Sequence, residues 1–123
     1  MLLKDGRFAF GLKDEAVALI HLDSARVLGK LAEENEPVVT FAVSANQQIL
    51  VTATKNYAIK AYRIGDLPDP GAELPTPWQP QNFQTFRLVG CLGLELSVDP
   101  SSRFVAVGTS DSQIKVFDLS KGF

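Results

Sequence analysis

The chain repeats itself at a fixed spacing, and this constrains its fold more than any other feature. Val43 to Ile64 (VSANQQILVTATKNYAIKAYRI) lies on Val98 to Leu119 (VDPSSRFVAVGTSDSQIKVFDL) without a gap, at an offset of 55 residues. Identities are few: Val43 with Val98, Thr54 with Thr109, Ile59 with Ile114, Lys60 with Lys115. The pattern matches throughout: a polar turn, an apolar run, a short polar turn, and an alternating run ending in an aromatic. Arg7 to Leu22 (RFAFGLKDEAVALIHL) gives a third, degraded copy if one position is skipped. Self-similarity on this scale marks stacked β units, each of which buries its apolar face on its neighbours.

Strand signals follow the repeat: β-branched and aromatic residues, period-2 alternation, and turn residues between runs. The first unit, about 1–36, reads as strands at Phe8 to Leu12, Val17 to Leu22 and Val27 to Leu31. Asp23-Ser24 can also cap a helix over Ala25 to Glu34, but Gly29 and the repeat favour a strand. The second unit, about 37–90, has strands at Val38 to Val43, Ile49 to Thr54 and Ala58 to Ile64, with a fourth delayed to Thr85 to Val89. The intervening stretch, 65–84, holds Pro68, Pro70, Pro75, Pro77 and Pro80, and proline has no amide donor for a sheet, so it is expected to be an extended loop. The third unit, about 91–123, runs Leu92 to Val98, Phe104 to Gly108 and Ile114 to Leu119, and a fourth strand is missing.

These units resemble WD repeats. That family commonly carries an aspartate in the turn between the second and third strands of a blade, and ends the third strand on Trp-Asp. Asp111 stands in that turn here, and Phe117-Asp118 stands where Trp-Asp would be. The second unit has Asn56 and Tyr62-Arg63 at the matching places, and the first has Glu15 and Ile20-His21. The family's Gly-His pair is absent. The resemblance implies an all-β fold: a partial WD-repeat β-propeller of about three four-stranded antiparallel blades, the last incomplete. Three blades do not close a ring, since propellers typically have about four to eight, so a piece of a larger propeller, or one completed by other chains, is expected. A narrower likeness is to WD-repeat subunits of the UTP-B type, in the U3 small nucleolar RNA-associated small-subunit processome. It is carried by VLGKLAEENEPVVTFAVSANQQILVTAT and LSVDPSSRFVAVGTSDSQIKVFDLSKGF. It implies a scaffold in pre-rRNA processing, ribosome biogenesis and a nucleolar location.

The residues offer little for catalysis. His21 is the single histidine and Cys91 the single cysteine, in an apolar setting, so neither an internal disulfide nor a Cys/His pair is expected. No glycine run forms a phosphate loop, and no serine has a nucleophile-elbow setting. The expectation is no enzyme, no cofactor, no metal and no small-molecule substrate. A net charge of −2 argues against a segment that grips nucleic acid by itself; pre-rRNA or small nucleolar RNA is expected nearby, without dedicated binding here. No window approaches the roughly 18 apolar residues of a membrane helix, and MLLKDGRF lacks a signal-peptide core, so an intracellular, membrane-free protein is expected. Partners are then other WD-repeat proteins of a complex; a generic WD-repeat adaptor and a ligand-binding propeller are the alternatives.

The candidate partner contacts are Trp78 and Phe83, in ELPTPWQPQNF. A tryptophan on a stiff, proline-flanked loop offers a large contact area at low ordering cost; folding back over its own blade is the other reading. Asp111, Asp118 and Asn56 are expected to be structural, accepting or donating hydrogen bonds at turns and strand ends. Lys55, Lys60 and Arg63 make a small basic group on the second unit.

Overall fold

A computed structural model describes residues 8–13, 15–22, 25–31, 37–64 and 81–120. Ten strands are assigned: β1 (Phe8–Lys13), β2 (Ala16–His21), β3 (Arg26–Leu31), β4 (Val38–Val43), β5 (Ile49–Thr54), β6 (Ala58–Arg63), β7 (Gln81–Arg87), β8 (Gly93–Val98), β9 (Phe104–Thr109) and β10 (Ile114–Asp118). They form three antiparallel sheets, ordered β1-β2-β3, β4-β5-β6-β7 and β10-β9-β8. Of the region open to a helix, Arg26–Leu31 is strand β3. The delayed fourth strand, β7, begins at Gln81 and ends at Arg87 rather than spanning Thr85 to Val89. Four strands are present in the second sheet and, among the described residues, three in each of the others. The proline-rich segment that carries Trp78 lies largely outside the described residues, as do the acidic stretch 32–36 and the chain ends.

The repeat is visible in the backbone as well as the sequence. The first-to-second strand pairing is bulged between Val38 and Thr40 in the second sheet and between Gly93 and Glu95 in the third. Those are equivalent positions at the 55-residue offset. In the first sheet Leu12 pairs with Val17, as Ala53 pairs with Ile59 in the second. One residue fewer separates the first pair, so the position skipped in the sequence alignment falls in the β1–β2 turn.

Each sheet buries its apolar side chains on the next. Phe10, Val17 and Leu19 of the first sheet meet Val38, Leu50, Tyr62 and Ile64 of the second. The opposite face of the second sheet (Val51, Ala53, Ile59, Ala61 and Phe86) meets Val105, Val107 and Leu119 of the third. The second sheet is therefore covered on both sides, and its strands read as nearly continuous apolar runs. β5 is ILVTAT, buried from Leu50 to Thr54. β9, covered on one side, alternates more exposed and buried residues instead. Full burial of one such aliphatic side chain contributes about 1.5–3 kcal/mol, so these two seams supply much of what holds the sheets together. The first strands β4 and β8 lie beside one another, at corresponding edges of their sheets. At the far edge, Phe86 of β7 stacks on Phe117 of β10 with ring centroids 4.7 Å apart.

Candidate interaction surface

The turns between first and second strands are built twice, with the residue roles exchanged. In the second sheet Ser44 Oγ donates to Asn46 Oδ1 (2.6 Å) and accepts from the Ile49 N–H (3.1 Å), while Asn46 Oδ1 accepts from the Gln48 N–H (3.0 Å). In the third, the Asp99 carboxylate accepts from the N–H groups of Ser101 (3.2 Å), Arg103 (2.9 Å) and Phe104 (2.7 Å), and from the Ser101 hydroxyl. Ser44 and Asp99 are equivalent, as are Asn46 and Ser101. The Ser101 hydroxyl bond, then the Phe104 amide, lower the Asp99 pKa. Gln47 and Ser102 both take positive φ, at 60° and 61°.

The turns between second and third strands repeat in the same way. Thr54 Oγ1 accepts from the N–H groups of Asn56 and Ala58, each at 3.3 Å. Thr109 Oγ1 accepts from the Gln113 N–H (3.3 Å) and lies within donating reach of the Asp111 carboxylate. Asn56 and Asp111 thus sit where the sequence places them, exposed and engaged in their own turns. Tyr57 and Ser112 follow them with φ of 64° each, the left-handed residue that succeeds a type I hairpin turn.

Asp118 closes β10. Its carboxylate accepts from Ser120 Oγ (2.6 Å) and the Ser120 N–H (2.9 Å), and from Arg103 Nη2 (3.2 Å) and Nε (3.3 Å). The Ser120 hydroxyl first, then its amide and the Arg103 guanidinium, hold the Asp118 pKa down at about 2, against partial desolvation. Its role is to tie the end of β10 to the start of β9. The Leu119 N–H also donates to the Arg103 carbonyl (2.6 Å) there, as the Ile64 N–H does to Gln48 (2.9 Å) in the second sheet.

Phe83 is half-buried against the core between the second and third sheets, with the Arg63 guanidinium 4.4 Å from its ring centre. Part of its apolar surface packs between the sheets. Trp78 lies outside the described residues. Its segment leaves β6 after Arg63 and rejoins at Gln81, paired with Arg63, so both anchor points lie at the end of the sheet opposite Asn56. The three basic residues do not form a patch. Lys55 Nζ pairs with Glu15 Oε1 across the first seam (2.6 Å). Lys60 is largely buried and Arg63 lies three positions along the same strand, so alternation turns the two to opposite faces. Cys91 is buried in the second seam, and His21 is half-buried at the end of β2. Among the described residues no three His, Cys, Asp or Glu side chains converge, and no helix is long and apolar enough to cross a membrane.

One surface was not legible in the sequence. The connection from β7 to β8 is fastened at both ends to the neighbouring turns. The Leu88 N–H donates to the Tyr57 carbonyl (2.7 Å), Leu92 N–H to Ser110 Oγ (2.8 Å), and Ser110 N–H to the Leu92 carbonyl (2.9 Å). Gly90, at φ 70°, supplies the left-handed residue that lets this short strap turn. The strap holds Val89 up at 85% exposure, beside Tyr57 at 48%. Tyr57, Val89, Asn56 and Asp111 therefore share one rim of the stacked sheets, on hydrogen-bonded turns. Its chemistry is apolar contact framed by amide and carboxylate groups.

Stacked antiparallel sheets joined in chain order, with their first strands side by side, define an arc of β-propeller blades. Solved structures like it include WD40 propellers, and the fold is a partial WD40 β-propeller. The beta-propeller domain of Cps50 (Swd1) from Myceliophteria thermophila superposes with a TM-score of 0.81 at 12% identity, over 99% of this chain and 39% of that one. The C-terminal WD40 domain of Sif2 gives 0.74 at 15% identity, over 96% of this chain and 32% of that one. The chain thus spans well under half of either. No family model and no curated protein matches the sequence.

Proposed function

We propose that the chain is a non-catalytic scaffold that engages protein partners through the rim of Tyr57, Val89, Asn56 and Asp111. The observation that carries this is the pair of exposed apolar side chains, Tyr57 and Val89, held up by a hydrogen-bonded strap. Pre-ordered apolar anchors bind at low entropic cost. Changing both residues, Tyr57→Ala with Val89→Ser, is expected to strip partners from the protein purified from cells, with thermal unfolding shifted by no more than about 2–4 °C. Retention of every partner at wild-type levels would refute the rim.

In its sharper form the proposal places the protein in the small-subunit processome, acting in pre-rRNA processing in the nucleolus, near RNA but without a dedicated grip on it. What supports this is the resemblance of 27–54 and 96–123 to the transducin β-like WD-repeat subunit of the UTP-B complex. Mass spectrometry of the same purification separates the readings. Recovery of other propeller subunits of the processome supports the nucleolar role. Their absence leaves an adaptor of another complex.

A further inference from the structure

The rim that carries Tyr57 and Val89 also carries a charge that nothing around it balances. Glu15 and Lys55, at the same end of the sheets, neutralise each other at 2.6 Å. Arg87, which ends β7 opposite Ala58, is engaged within the chain. Asp111 is different. It is exposed, its Oδ1 accepts from the Thr109 hydroxyl of its own turn, and among the described residues no cation reaches either oxygen. Oδ2 is left without a donor. Glu95, exposed and paired with Gly108 just before that turn, adds a second unbalanced carboxylate. The rim is thus apolar at one end and acidic at the other. Taking the rim of Tyr57 and Val89 as the docking surface, we propose that its occupant is an extended segment of a partner protein, in which an aliphatic or aromatic residue lies about two to four positions from a lysine or arginine.

The strap sets the spacing. The Tyr57 carbonyl holds Leu88 at one end of it, and Ser110 holds Leu92 at the other through two hydrogen bonds. Residues 88–92 thus separate the apolar pair from the Asp111 turn. Fully extended they span at most about 14 Å, and Gly90, at φ 70°, bends them to less. A partner strand advances about 3.3 Å per residue, so its anchor and its cation are two to four residues apart. The apolar pair supplies the buried contact, and Asp111 fixes the register and the sign of the charge. An ion pair bordering such a contact is screened less than one in open solvent. The two carboxylates repel a phosphate backbone, so the occupant is a protein segment and not a nucleic acid. Asn56 stands at the position equivalent to Asp111, on a turn of the same build. The neutral variant Asp111→Asn therefore copies a residue that this turn already accommodates.

The test titrates the protein, with its valine methyl groups isotopically labelled, with short Gly/Ser peptides that carry one leucine and one arginine two, three or four positions apart. The Val89 signals, identified by their loss in Val89→Ile, report binding. Citrulline in place of arginine keeps the shape and removes the charge, and alanine in place of leucine removes the anchor. At least one arginine peptide is expected to shift the Val89 methyl signals with a Kd about two- to fivefold below that of its citrulline counterpart, the size of a partly exposed ion pair. That advantage should vanish in Asp111→Asn, and shrink as salt is raised from about 0.05 to 0.5 M. Equal Kd values for the arginine and citrulline peptides, or an advantage that survives in Asp111→Asn, would overturn the cationic partner. The apolar rim would still stand in that case if alanine in place of leucine weakens binding. No shift at Val89 with any of the peptides would overturn the cationic partner and the rim together.

Discussion

At the scale of single residues, the turns carry most of the specific chemistry. Asp118 has a folded pKa of about 2, below the ordinary value of about 3.9 for an unfolded aspartate. A depressed carboxylate adds stability that is complete above the unfolded value and is lost as pH falls through the folded one. Between about pH 4 and pH 2 the wild type is therefore expected to lose stability more steeply than Asp118→Asn, as followed by urea unfolding across that range. Asp99 is depressed in the same direction, so some acid sensitivity remains in the variant. Ser112 pays a different cost. Its φ of 64° is a conformation that costs a residue with a Cβ roughly 1–2 kcal/mol. Ser112→Gly removes that cost while loosening the unfolded chain, so a net gain of about 0.5–1 kcal/mol is expected in chemical denaturation. An unchanged or lower midpoint would show that the turn is not held as described. The turn position of Asp111 and the strand-end position of Asp118 follow from the repeat pattern, and aspartate accepts backbone amides at such places. The exchange between Ser44–Asn46 and Asp99–Ser101 was not legible in the sequence, because either order satisfies the same amides.

At the scale of elements, strand existence was legible and strand limits less so. Period-2 alternation and β-branched runs mark nine of the ten strands within a residue or two. β7 was misplaced because its sequence, QNFQTFR, is polar. It is a strand through its pairing with β6 and through Phe86, whose ring reaches Phe117 in the next sheet. Such a strand is defined by its neighbours, and propensity gives little sign of it. Gly93 was likewise silent in the sequence and is decisive in the packing, where β8 approaches Ala53 and Ile59 with no room to spare. Gly93→Val is expected to cost about 1–3 kcal/mol by overpacking the seam, measured as a fall in the urea midpoint with an unchanged slope. A neutral result would mean the two sheets are farther apart than the structure places them.

At the scale of the whole molecule, the 55-residue repeat foretold stacked sheets, and the fold bears that out to the level of matching bulges and matching positive-φ residues. The proposed interaction surface was harder to see. Tyr57 and Val89 are 32 positions apart, and only the strap from Leu88 to Leu92 brings them to one rim. The sequence instead drew attention to Trp78 and Phe83, because aromatics among prolines stand out; Phe83 proves to pack in the second seam, under Arg63. The central claim is that the second and third sheets stack in register, with β8 across the Ala53–Ile59 pair. Selective methyl labelling of isoleucine allows one direct measurement, the nuclear Overhauser effect between the Gly93 α-protons and the Ile59 δ1 methyl. A strong cross-peak is the expected result, since a Cβ on Gly93 would lie 3.0 Å from that methyl carbon. Its absence, with the Ile59 methyl otherwise well resolved, would contradict the stacking and the propeller fold built on it.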